Sequence, residues 1–186
     1  NGAEMVWNFD GDTRGDAQHM LHSGTVVDCR TGNEREAGQL RWETSWIGRY
    51  DVPPLPKVAD SNNSRGIARS FFQRHTAPPD FMDTTMLELR YQDGHDEDLW
   101  VYTAMFRRIR RYSTSQRTDT IDGTDMIYDD HDGWYTHPTR NNYTAQGRVD
   151  LLIGRHQDPK NIQRNTGQGF WNGFQRERAN LWVVEA

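Results

Sequence analysis

Apolar residues in this chain recur mostly at every second position, the spacing of a strand whose two faces differ. Over residues 38–50, Leu40, Trp42, Trp46 and Tyr50 fall on one face and Arg41, Glu43 and Arg49 on the other. A strand with one wet face belongs in an antiparallel sheet. Residues 84–92 repeat the pattern with Leu87, Leu89 and Tyr91, and a polar turn over 93–98 follows. The stretch 99–112, LWVYTAMFRRIRRY, reads as one strand whose two faces both begin apolar and end cationic. Trp100, Tyr102 and Phe106 lead to Arg108 and Arg110; Leu99, Val101 and Met105 lead to Arg107, Ile109 and Arg111. Such a strand suits a concave apolar surface with a charged rim. Shorter strands are expected at 25–30, with Cys29 packed in the core, at 147–154 and at 181–186. Residues 64–74 fit a short helix with Ser64 as N-cap and Ile67, Phe71 and Phe72 on one side. The Pro-rich residues 51–64 read as a loop, as do the polar residues 113–146 and 157–180. The reading is one mostly-β domain over 1–186: a curved antiparallel sheet or half-barrel around a hydrophobic groove, with one or two short helices as lid.

Composition modifies this picture in two ways. Apolar residues make up 34% of the chain and the mean hydropathy is -0.98, a poor supply for a core of this size. Seven Trp, seven Tyr and seven Phe compensate, because each buries a large area. The net charge of -5 disfavours nucleic acid as a partner, since phosphate neutralisation needs a basic surface. Cys29 is the single cysteine, so no intrachain disulfide forms. No apolar run approaches the roughly 20 residues that span a bilayer.

Candidate chemistry is sparse. The acidic residues Asp119, Asp122, Asp125, Asp129, Asp130 and Asp132 lack the ligand spacing of a calcium loop. His19 and His22 lack a third ligand at zinc spacing, so no metal or other cofactor is expected. No nucleophile elbow or metalloprotease helix occurs, and no catalytic residue is assigned. Arg107, Arg108, Arg110 and Arg111 admit three readings: a solvated strand end, an anion or partner contact, or internal ion pairs with Asp125, Asp129 and Asp130. The aromatic faces, from periodicity alone, read as ordinary core.

The order LWVY…RRIRR, then GTDMIYDD at residues 123–130, then LWVVEA at 181–186, resembles a family of bacterial envelope proteins known as the domain of unknown function number 1329. MVWNFDGDTRGD at 5–16 fits the part of that family where an Asn-containing strand leads into the domain. Against the family, the chain reads as a fragment truncated at both ends. The resemblance implies the fold of the lipoprotein carriers LolA and LolB, in which a curved sheet wraps a hydrophobic cavity plugged by helices. It implies a periplasmic or outer-membrane location and a non-catalytic carrier of a lipid or hydrocarbon serving a permease of the resistance-nodulation-division type. An interaction subunit whose aromatic face packs on a partner chain is the alternative. On this resemblance Trp42, Trp46, Leu87, Leu89, Tyr91, Trp100, Tyr102, Phe106 and Trp182 are the expected lipid-binding residues. The arginines, with Asp125, Asp129 and Asp130, are expected to lock the mouth or dock the partner.

Overall fold

The computed structural model describes residues 1–12, 15–113, 116–121, 124–158, 160–165 and 170–186. Thr13 and Arg14 of the opening motif, Asp122 of the acidic segment and Gly123 of the second motif lie outside the described residues. The fold is mostly β. Strands β1 (Ala17–Val27), β2 (Glu34–Ser45), β3 (Ile67–Ala77), β4 (Thr85–Tyr91), β5 (Asp98–Thr103) and β6 (Arg108–Tyr112) form one antiparallel sheet in chain order. Strands β7 (Thr144–Gly154) and β10 (Arg176–Glu185) pair separately, as do the short β8 (Gln163–Asn165) and β9 (Phe170–Asn172). Among the described residues the one α-helix is α1, Gly2–Asp12.

Five expectations change. Residues 64–74 are not a lid helix: most of them form β3, an inner strand paired to β2 and β4. Ile67 and Phe71 are four apart, a spacing that satisfies both periods. Alternation continues through buried Phe71, Gln73 and His75, and two waiting strand neighbours decide for the strand. The stretch 99–112 is a hairpin rather than one strand. It reverses through a turn at residues 104–107, where Arg107 adopts φ 50, and pairs Trp100 with Arg111 and Tyr102 with Ile109. Cys29 is exposed, because β1 ends at Val27 and Asp28 Oδ1 accepts the Arg30 and Thr31 N–H groups to close a turn. The start of the chain is helix, with Asn1 Oδ1 accepting the Glu4 N–H at 3.0 Å as a cap. The polar stretch 157–180 contains β8, β9 and the first residues of β10.

The register of the sheet slips at β2–β3 and at β3–β4, the kind of irregularity that bends a strand. Between Gly38 and Gln39 the pairing of β2 with β3 shifts, and a Cβ at Gly38 would lie 2.6 Å from Thr76 Oγ1. A side chain there would force the Thr76 hydroxyl to move, so glycine suits the close approach. Beyond β2, two side chains organise the Pro-rich loop. The Arg49 guanidinium donates to the carbonyls of Val52 and Pro54 at 3.0 Å. Asp16 Oδ2 accepts from the N–H groups of Tyr50, Asp51 and Val52 at 2.8, 2.7 and 2.8 Å.

Burial opposes the Asp16 charge, yet those three donors hold its carboxyl down at about 2 from an ordinary 3.8. A depressed carboxyl contributes stability above its unfolded value and loses it as pH falls through the folded one. Acid unfolding between pH about 4 and 2 is therefore expected to be shallower in Asp16→Asn than in the unsubstituted protein. Parallel titration curves followed by tryptophan fluorescence would contradict this anchoring.

Candidate functional site

All six strands of the main sheet contribute side chains to one cavity of about 480 Å3, which makes that face concave. Its cover is formed by residues of 116–121 and 124–135. A 3-10 turn at Tyr128–Gly133 and Tyr135 just after it bring three rings of the cover to the sheet. His131 and Tyr135 meet Phe71 edge-on at 5.5 and 6.5 Å, and Tyr128 meets Tyr135 at 5.5 Å. Arg41 lies 4.7 Å over the Phe71 ring and also bonds His131.

Charge fixes the same cover from its flank. Glu97, just before β5, is buried. Its Oε2 accepts Arg117 at 2.9 Å and Arg140 at 2.7 Å, and its Oε1 lies 3.8 Å from Arg90. Arg117 also holds Asp129, with Nε at 2.9 Å, and lies 4.8 Å over the Tyr128 ring. Arg90 reaches Asp10 of α1 at 3.2 Å, so helix, sheet and cover share one ionic cluster.

The cavity has two unlike walls. Register places Gln39 beside His22 and His75, and Arg41 beside Gln73, so β1–β3 present a row of polar side chains alongside Val26, Ala37 and Phe71. Met86, Leu99, Val101 and Tyr112 of β4–β6, with Ile121 and Met126 of the cover, make an apolar wall. The far end is closed by Phe71, Glu88 and Tyr128, all buried, whereas Arg35 at the β1–β2 end is exposed. Such a volume falls within the range of small-molecule sites, about 300–1,000 Å3. Burial pushes the Glu88 carboxyl above its ordinary range, and Tyr128 donates its hydroxyl to Glu88 Oε2. Among the described residues no group of His, Cys, Asp and Glu is arranged to hold a metal ion, and no helix is long and apolar enough to cross a membrane.

The residues predicted from sequence are distributed otherwise. Trp42, Leu87 and Trp100 stand in one cross-strand row with His19, Phe72 and Arg111. That row lies on the face opposite the cavity, where His19 stacks on Trp42 at 4.8 Å and Trp42 meets Phe72 at 5.4 Å. Leu89 and Tyr102 share this face by strand parity, and Trp46 donates to Ser70 Oγ there at 3.0 Å. Tyr91 is buried and donates to Asp98 at 2.6 Å. Phe106 is exposed in the β5–β6 turn, and Trp182 is exposed on β10.

Of the arginines, Arg111 pairs with Asp98, while Arg107, Arg108 and Arg110 are exposed and form no ion pair among the described residues. Asp129 pairs with Arg117, Asp130 accepts the Ile127 N–H at 2.9 Å, and Asp125 is exposed. Among the described residues none of the four expected arginines pairs with Asp125, Asp129 or Asp130; the ion pairs at the cover are made instead by Arg117 with Glu97 and Asp129 and by Arg140 with Glu97. Strand parity on 67–77 could have revealed Gln73 and His75. No local signal marks Glu97, which sits in a polar turn.

A model of the family described as protein of unknown function DUF1329 matches residues 1–186. A crystal structure of a DUF1329 family protein from Desulfovibrio piger is similar with TM-score 0.57 at 17% identity, covering 81% of this chain and 55% of that one. The chain thus spans about 55% of that protein's structure. A provisionally assigned outer membrane lipoprotein-sorting protein domain from Vibrio parahaemolyticus is similar with TM-score 0.55 at 13% identity, covering 100% of this chain and 67% of that one. None of the curated proteins compared with the chain matches it.

Proposed function

From the premise that the chain belongs to the DUF1329 family, we propose that it is a non-catalytic carrier of an amphiphilic lipid or hydrocarbon in the bacterial envelope. One observation carries the reading: a cavity of about 480 Å3 with an apolar wall, held between a curved sheet and a docked cover. The likeness to a lipoprotein-sorting domain supports the same class of cargo and a periplasmic or outer-membrane location. Each methylene moved from water into such a wall is worth about 0.8 kcal/mol, so a medium-length chain supplies affinity without a covalent step. Loading and release are then an exchange equilibrium, with the cover of residues 124–135 giving way.

The β5–β6 turn is the proposed docking element for a membrane permease. Met105, Phe106 and Ile109 are 68%, 67% and 70% exposed, with Arg107, Arg108 and Arg110 beside them. Apolar anchors within a cationic patch suit a partner surface that is both greasy and acidic. A photoreactive residue at Phe106 in the host cell is expected to crosslink to a membrane-embedded permease, and one at Leu152 is not. Equal labelling from both positions would remove the turn from this role.

The carrier reading is tested with N-phenyl-1-naphthylamine and the full-length protein. Saturable binding of one dye per chain, displaced by long-chain amphiphiles, is expected; no binding above that of an unrelated β-protein would sink it. A second reading is favoured by the opposite face, where Leu21, Trp42, Leu87 and Ile109 are exposed. An envelope subunit could cover that face with a partner chain, in which case Trp42 rather than the cavity governs the protein's behaviour.

A further inference from the structure

Among the buried polar atoms of the cavity's lining that lack a hydrogen-bond partner are Gln73 Oε1 and Glu88 Oε1, at its closed end. Buried polar groups are paired in almost all native structures. Gln73 and Glu88 are 4% and 1% exposed, and both line the cavity. Their other polar atoms are engaged: Gln73 Nε2 lies 3.2 Å from His75 Nε2, and Glu88 Oε2 accepts from Tyr128. Phe71 pairs with Glu88, and Gln73 with Met86, so Gln73 and Glu88 are diagonal neighbours on adjacent strands. Diagonal positions lie roughly 7–8 Å apart at the backbone, within reach of long side chains that share one ligand atom. The apolar wall of Met86, Leu99 and Val101 begins beside them.

The two atoms differ in what they need. An amide oxygen only accepts. A neutral carboxyl both donates and accepts, and burial favours that form of Glu88. An aliphatic hydroxyl also does both. It can give its proton to Gln73 Oε1 while accepting from the Glu88 carboxyl. An ester has no proton for Gln73, a hydrocarbon meets neither atom, and a carboxylate likewise has no proton to give and faces the negative end of the amide dipole.

Resting on the carrier reading above, we infer that the cargo is an uncharged amphiphile headed by a hydroxyl, which seats on Gln73 and Glu88 while its hydrocarbon part lies along the Met86–Val101 wall. The class comprises long-chain and polycyclic alcohols and partial glycerides. Recognition of one hydroxyl by a buried polar pair also gives selectivity, because an analogue lacking it leaves both protein atoms unpaired.

The test uses the full-length protein and displacement of N-phenyl-1-naphthylamine by 1-dodecanol, methyl dodecanoate and sodium dodecanoate. Dodecanol is expected to bind roughly tenfold more tightly than either of the others. In Gln73→Leu the alcohol-to-ester ratio is expected to fall to near one, and in Glu88→Gln to persist, since the amide still donates and accepts. The ligand series on the unsubstituted protein decides the matter even where a variant fails to fold. Equal displacement by all three would overturn the hydroxyl inference while leaving the carrier reading standing. Tightest binding of dodecanoate would overturn it in favour of an anionic head near Arg41. Absence of any dye or ligand binding would overturn both.

Discussion

Replacing Glu97 with alanine is expected to destabilise the protein by about 3–5 kcal/mol, the range for removing one partner of a buried ion pair. Glu97 is the shared anion for Arg117, Arg140 and Arg90, and its side chain is 4% exposed. Arg90 and Arg117 are also largely buried, and among the described residues Arg117 would keep Asp129 as its one ion-pair partner. The loss should therefore be felt as uncompensated charge rather than as one missing hydrogen bond. Glu97→Gln keeps an acceptor but not the charge and should fall between alanine and the unsubstituted protein. Arg178 offers the contrast: it pairs with Asp150 at the surface, and Arg178→Ala should cost no more than about 1 kcal/mol. Urea unfolding of the three variants checks the ranking. Because Glu97 holds Arg117 of the cover and Arg140 just beyond it, Glu97→Ala should also weaken dye binding under conditions where the protein is still folded. An effect no larger than that of Arg178→Ala would mean that the cover is not held by this cluster.

Filling the cavity is the second large effect. Ala37 lies on the cavity face of β2, opposite Gly24 and half-buried, where an indole would project into the space without displacing a neighbour on β1. Ala37→Trp is expected to lower affinity for an apolar probe at least tenfold. Exclusion of two methylenes, at about 0.8 kcal/mol each, already suffices, since about 1.4 kcal/mol is tenfold. Leu40 is on the same strand with the opposite parity, so Leu40→Trp should leave binding unchanged. If Leu40→Trp weakens the probe and Ala37→Trp does not, the probe sits on the outer face and the interaction-subunit reading gains.

Much of the sheet was legible in the sequence. The alternations at 38–50 and 84–92 mark β2 and β4 because each has one face that must meet water. The hairpin of β5 and β6 was hidden because apolar and cationic residues run on without glycine, proline or asparagine to mark the turn at 104–107. The strand at 67–77 was obscured by Ile67 and Phe71, whose spacing fits a helix equally well. The cavity itself was misleading for a physical reason. Hydrophobicity points to Trp42, Leu87 and Trp100, yet the concave face of β1–β3 is polar, with Gln39, Arg41, Gln73 and His75. Polar residues on a strand read as solvent-facing until a cover is known to lie over them. Segment 116–135 has no regular period, so its docking on Phe71 through His131 and Tyr135, and on Glu88 through Tyr128, is a tertiary property. The same holds for Glu97, whose three arginine partners come from β4, the cover and the 3-10 turn at Pro138–Arg140.

The most direct test of the carrier reading is native mass spectrometry of the full-length protein purified from its own host, followed by organic extraction. The account predicts a reproducible co-purifying amphiphile, one per chain, that is reduced in Ala37→Trp and retained in Leu40→Trp. A protein that emerges empty, or that carries the same lipid equally in both variants, would contradict it.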